Sequence, residues 1–149
     1  IVFGVPRSDP EHRFHAVACA VLIRRVVVRL NAQREAQGQQ PIHFRIGINC
    51  GQMLAGNMGS RDRMQYTVVG DAVNLASRLA THAEADEILI DEEMYRHAEV
   101  SGRVIAQPHG TIPIRGRREP ATLYRIIDLS PDYRQQLEAM VDRVLEAGE

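Results

Sequence analysis

The sequence has little that would commit it to a membrane, a secreted scaffold or a polyanion. No apolar run reaches the ~20 residues that a bilayer-spanning helix needs, so no transmembrane segment is predicted. The first residues also lack the charged start and cleavage site of a signal peptide. Cysteine is scarce: Cys19 and Cys50 have neither metal-ligand nor disulfide-framework spacing, and each sits in an apolar pattern. They are expected to be reduced, buried thiols in a cytoplasmic setting. A net charge of -1 offers no general attraction for nucleic acid. Aromatics make up 5% of the chain and are not interleaved with basic residues, so no base-stacking platform is predicted. Any phosphate site must therefore be local. There is no internal repeat and no low-complexity stretch, and 149 residues suffice for about one domain with a single core.

The chain opens without Met, inside the apolar run Ile1-Val2-Phe3, which reads as the tail of a strand. A strand is expected over Ile1 to Val5, closed by Pro6, and the chain is expected to be a piece of a longer protein. Asp9 before Pro10 and Glu11 signals a helix start: a capping side chain, a proline in the first turn and acid near the positive end of the dipole. Phe14, Val17, Ala18, Val21, Leu22 and Val28 mark the apolar face of a long helix ending near Gly38. Arg24, Arg25, Arg29 and Arg34 are expected to be solvated, their stems covering the helix flank. His12 and His15 could share a metal, but no third ligand stands at a telling spacing.

Phe44, Ile46, Ile48 and Cys50 alternate with Arg45, Gly47 and Asn49, the period of a half-buried strand. Met53 to Met58 and Met64 to Val69 are two further strands, joined by Gly59-Ser60-Arg61-Asp62-Arg63 as a hairpin. Then Gly70 breaks the chain and a helix follows, with Ala72, Val73, Ala76, Leu79, Ala80 and Ala83 at helical spacing and Asp71 expected to cap it. Glu87 to Ile90 is a short strand. Asp91, Glu92 and Glu93 resemble metal ligands in composition, but are read as capping and charging a brief helix with Met94 and Tyr95. Val100 to Ala106 and Leu123 to Ile127 form a closing pair of strands, joined through Pro108 to Arg118. Residues 129–149 form a separate amphipathic helix, begun by Ser130-Pro131-Asp132, with Leu137, Met140, Val141, Val144 and Leu145 on one face. It is expected to pack back on the same domain.

Two side chains on the central helix carry the functional reading. Asn74 and Arg78 stand four apart and share a face away from the apolar stripe. An amide beside a guanidinium on a rigid helix, just after a glycine turn, could hold an oxygen-rich ligand such as a ribose phosphate. A polar pair opposite an apolar stripe could equally be a solvated face. The only concentrated positive charge in a loop is Arg115-Gly116-Arg117-Arg118, either a soluble turn or a phosphate-binding loop.

These motifs together resemble a known family. Phe44-Arg45-Ile46-Gly47-Ile48-Asn49-Cys50-Gly51, Ala55-Gly56-Asn57-Met58-Gly59-Ser60 and Val69-Gly70-Asp71-Ala72-Val73-Asn74-Leu75-Ala76-Ser77-Arg78 are similar to the catalytic domain of class III nucleotidyl cyclases, most of all to bacterial adenylate cyclases. The resemblance covers residues 1–128 in family order. It implies an α/β (α+β) domain of ferredoxin-like form with helices on one face, here lacking its first strand and helices, and a hairpin arm reaching across a homodimer interface.

The same resemblance implies ATP as substrate, with the ribose 3'-hydroxyl attacking the α-phosphate and pyrophosphate leaving. Asn74 would orient the ribose and Arg78 would stabilise the developing charge. Thr67, with the backbone of Val68, falls at the base-reading position and leans toward adenine. Arg115 takes the place of a family Lys that contacts the terminal phosphates. Mg²⁺ or Mn²⁺ would be held by two Asp residues upstream of this chain, so the piece alone is expected to be inactive. The alternative is a catalytically degenerate module of the same fold that binds nucleotide or only dimerises.

Overall fold

A computed structural model describes residues 1–60, 63–114, 116 and 118–148. Its elements are α1 (His12–Ala36), β1 (Arg45–Ile48), β2 (Leu54–Ser60), β3 (Arg63–Val69), α2 (Asp71–His82), β4 (Glu87–Asp91), α3 (Glu92–Arg96), α4 (Ala98–Ser101), β5 (Val104–Ile112), β6 (Ala121–Leu129) and α5 (Arg134–Glu146), with a 3₁₀ turn at Pro131–Tyr133. A four-stranded sheet runs in the order β1-β4-β6-β5, with β1 parallel to β4 and the remaining pairs antiparallel. The hairpin β2–β3 forms a second sheet by itself, pairing Leu54 with Val69 and Ser60 with Arg63. The mixed α+β architecture is the fold class expected from the sequence.

The helices take both faces of the sheet, not one. Along β4 every residue from Glu87 to Asp91 is buried. Ile88 and Ile90 join Ile126 and the α1 residues Phe14, Val17, Ala20 and Val21 in one core cluster. Leu89 joins Leu123, Ile112 and the α2 residue Leu79 in another. Successive strand residues point to opposite faces, so a strand apolar on both sides needs cover on both.

Gly47 sets how closely α2 approaches. A Cβ there would lie 2.2 Å from the Ala76 carbonyl oxygen and 2.4 Å from the Ala80 nitrogen, so only glycine lets β1 pass under the helix. Gly70 supplies the entry to α2 at φ +152, a conformation L side chains rarely adopt. It, and not Asp71, is the N-cap: Asp71 is the first helical residue and makes no capping hydrogen bond. Its charge still lies at the positive end of the helix dipole. Asp91, by contrast, caps α3 as expected, accepting from the Met94 N–H at 2.9 Å.

Several local expectations need correction. Ile1 to Val5 pairs with no strand among the described residues, and the bends run from Phe3 to Arg7. The helix α1 begins three residues after Asp9. That carboxylate instead accepts from the Glu11 N–H at 3.0 Å and contacts His15 Nδ1 at 2.7 Å, which holds its pKa below the usual value. Val28 is 62% exposed and belongs to no core. Strand β5 runs on to Ile112, past Pro108, through a register shift between Pro108 and Thr111, while Val100 belongs to α4. Ser130 makes no capping bond, and its buried hydroxyl has no partner among the described residues. Cys19 and Cys50 are free thiols but only half-buried.

The arginines of α1 are not simply solvated. Arg24 donates to the backbone oxygens of Ile126 and Ile127. Arg25 pairs with Asp128 at 2.7 Å and with Glu138, and Arg29 pairs with Glu138 at 2.8 Å and with Asp142. With Leu137 and Val141 buried, this charge ladder seats α5 on α1.

Candidate functional site

The helix α2 positions the predicted pair. Leu79 is fully buried and Leu75 packs against the same cluster, so the helix is fixed in rotation on the sheet. Residues 74 and 78 fall one turn apart on another face. Asn74 is exposed, and its side chain makes no hydrogen bond among the described residues. Arg78 is half-buried, and its Nη2 donates to the Pro113 carbonyl oxygen at 2.6 Å. A guanidinium has five N–H donors, so most of its capacity stays available for an anion. Neither side chain is buried in the core.

The other predicted residues divide. Thr67 and Val68 are half-buried on β3, opposite Gly56 and Ala55 in the hairpin. Val69 follows them directly into Gly70 and α2, so the hairpin delivers Thr67 close to the start of the helix in sequence. Arg115 lies outside the described residues. So do Arg61 and Asp62 of the hairpin connection. The Arg78 bond to Pro113 nevertheless brings the helix to the connection in which Arg115 stands, because Pro113 immediately follows β5.

Residues not singled out from the sequence secure the entry to this helix. Asn49 Nδ2 donates to the Ala72 carbonyl oxygen at 3.2 Å. A Cβ on Gly51 would stand 2.8 Å from that of Ala72. The loop after β1 is thus packed directly on the first turn of α2. These are long-range contacts that residue spacing does not reveal.

A cleft of about 1070 Å³ opens on the opposite side of α2, lined by Ala72, Val73 and Ala76, by His12 and Cys19 of α1, and by Cys50 after β1. Asn74 and Arg78 do not line it. Among the described residues no three His, Cys, Asp or Glu side chains converge as a metal site. The described residues thus offer no such cluster for the Mg²⁺ or Mn²⁺ that the resemblance implies. His12 and His15 each turn to Asp9, through its carbonyl and its carboxylate. Among the described residues no helix is long and apolar enough to cross a membrane.

One polar cluster away from this pair carries a shifted group. Burial raises the Glu87 carboxyl, but the Glu84 N–H, Arg125 at 3.1 Å and His109 at 3.5 Å outweigh that and leave it below its usual 4.5. This cluster binds β4 to β5 and β6.

The two-sided sheet, the freestanding hairpin and the helix that follows it define a nucleotidyl cyclase fold. Residues 1–128 match the model of the adenylate and guanylate cyclase catalytic domain, and the chain belongs to that family. It is 29% identical over 134 residues to adenylate cyclase 1 of Rhizobium meliloti, covering 85% of this chain and 19% of that protein. It is 32% identical over 126 residues to an adenylate cyclase of Mycobacterium tuberculosis, covering 85% of this chain and 27% of the relative. Thus it spans only about a fifth to a quarter of these relatives.

Among solved structures, the adenylyl cyclase CyaB from P. aeruginosa superposes with a TM-score of 0.77 at 34% identity, over 87% of this chain and 67% of that one. The guanylyl cyclase Cya2 also reaches 0.77, at 30% identity, over 88% of this chain and 66% of that one. The fold neighbours include enzymes named for either purine.

Proposed function

We propose that this chain is the ribose- and phosphate-holding part of an adenylate cyclase, converting ATP to cyclic AMP and pyrophosphate when completed by a second copy of the domain. The observation that carries the reading is the outward display of Asn74 and Arg78 on α2, one turn apart and away from the core. In the reaction, the ribose 3'-oxygen bonds to the α-phosphorus while the bond to pyrophosphate breaks. Negative charge gathers on the phosphoryl oxygens, so a fixed guanidinium lowers the barrier more than it aids ground-state binding. The Asn74 amide can donate to and accept from ribose hydroxyls, holding the attacking oxygen in line. Arg115 is assigned to the terminal phosphates.

Thr67 and the Val68 backbone are assigned to the purine. A hydroxyl both donates and accepts, as an adenine edge requires, and the adenylate cyclase relatives agree with this choice. The second copy is inferred from the hairpin. Among the described residues its strands pair with each other and with no third strand, and it exposes Leu54 at 71% and Met64 at 59%, with Tyr66 and Val69 beside them. Such an apolar, two-stranded arm is stabilised by burial against a partner. A cytoplasmic setting agrees with free thiols at Cys19 and Cys50.

The test is turnover by the full-length protein supplied with ATP or GTP and Mg²⁺ or Mn²⁺. Formation of cyclic AMP in preference to cyclic GMP supports the reading; binding of nucleotide with no cyclic product would identify a degenerate module instead.

A further inference from the structure

Two glycines and an amide run under α2 on one face of β1 and the chain that continues it. Ile46, Ile48 and Cys50 pack toward the α1 core, so Gly47, Asn49 and Gly51 turn the other way. A Cβ on Gly47 would lie 2.2 Å from the Ala76 carbonyl oxygen and one on Gly51 2.8 Å from that of Ala72, so the glycines let the helix down onto this face. Asn49 stands between them, and its Nδ2 donates to the Ala72 carbonyl oxygen at 3.2 Å. The next residues continue the bed: a Cβ on Gly70 would stand 3.3 Å from the Gln52 carbonyl oxygen and 3.4 Å from the Met53 Cα.

The two side chains of the proposed site depend on this bed to different degrees. Arg78 has a tie of its own, from Nη2 to the Pro113 carbonyl oxygen at 2.6 Å. The Asn74 side chain has no hydrogen bond among the described residues, so its aim is set by the backbone on which it stands. That backbone is the first turn of α2, where the Val73 and Asn74 N–H groups both donate to the Gly70 carbonyl oxygen. A carbonyl oxygen has two lone pairs, so Ala72 accepts from Asn49 without giving up a helical partner. We infer that Asn49 is a positioning residue for the proposed reaction: its amide fixes the first turn of α2 and, through it, the aim of Asn74 at the ribose. This inference rests on the nucleotide reading of Asn74. A small displacement of the group that orders the attacking oxygen costs rate rather than binding.

The experiment measures kcat and KM for ATP in the full-length protein with Mg²⁺ or Mn²⁺, for Asn49→Ala and Asn49→Leu, each alone and combined with Asn74→Ala. Both variants are expected to lower kcat about tenfold with KM within about twofold, and to have no further effect once Asn74 is gone, as for residues that act as a unit. Leucine keeps the bulk and loses the donor, so a parental kcat in Asn49→Leu overturns the inference. So does a loss confined to KM, or an equal loss with and without Asn74, the mark of a residue that only supports the fold. Amide exchange gives a readout independent of turnover: Val73 and Asn74 should exchange about fivefold faster in both variants, as for one lost hydrogen bond, while β4 stays protected. A full-length protein that makes no cyclic product defeats the nucleotide reading alone. Exchange then decides the rest: quickening at the first turn upholds the hold of Asn49 on α2, and unchanged exchange overturns it.

Discussion

The guanidinium of Arg78 is bonded to the carbonyl oxygen of Pro113 at 2.6 Å, tying α2 to the segment that leaves β5, while the side chain of Asn74 one turn earlier has no hydrogen bond among the described residues. The two halves of the proposed site therefore differ in structural role. Asn74→Ala should change stability by less than about 0.5 kcal/mol, as for an exposed side chain with no partner. Arg78→Ala should cost about 1 kcal/mol through the lost hydrogen bond. Denaturant midpoints of the two variants measure the difference, and equal losses would mean that the Pro113 bond contributes nothing.

Gly47 is expected to be intolerant of even a methyl group. Its Cβ would fall 2.7 Å from that of Leu79, besides the two backbone atoms of α2. Gly47→Ala should destabilise by about 1–3 kcal/mol, the usual range for an overpacked core, because a helix backbone cannot rotate aside as a side chain can. Urea unfolding tests it: a variant as stable as the parent would show that α2 lifts from β1 at no cost.

The ladder from α1 to α5 should be sensitive to salt. Arg25 and Arg29 share Glu138 and add Asp128 and Asp142, all partly exposed. Exposed pairs contribute about 0.2–1 kcal/mol each and are screened by salt. Hydrogen exchange within Arg134–Glu146 should quicken at high ionic strength and in Arg25→Ala, while β4 remains protected. Uniform exchange across the chain would deny α5 any independent opening.

Acid should weaken the sheet through Glu87. Its folded pKa lies below the usual 4.5, so its contribution to stability is present above that value and is lost as pH falls through the folded pKa. Glu87→Gln should lower stability at neutral pH and flatten the acid side of the stability profile. An unaltered acid limb in the variant would assign the loss to other carboxylates.

Much of this was legible in the sequence, for physical reasons. The switch from strand alternation to helical spacing across Gly70 located β3 and α2, because both periods depend only on neighbours along the chain. Hairpin and α5 followed from the same local logic. The Arg25 and Arg29 pairs were not legible, since their partners lie 103 to 113 residues away. Ile1 to Val5 has strand composition but no strand beside it among the described residues, and a strand is defined by its partner. The two-sided packing did leave a signal: Ile88-Leu89-Ile90 is continuous rather than alternating, as expected of a strand covered on both faces.

The central claim, that Asn74 and Arg78 act on the sugar and the reacting phosphate, is tested most directly by cyclic AMP production. In the full-length protein with ATP and divalent metal, Asn74→Ala and Arg78→Ala should each lower the rate about 10²- to 10³-fold, as loss of a preorganised donor does. Undiminished cyclic AMP output in both variants would contradict the account.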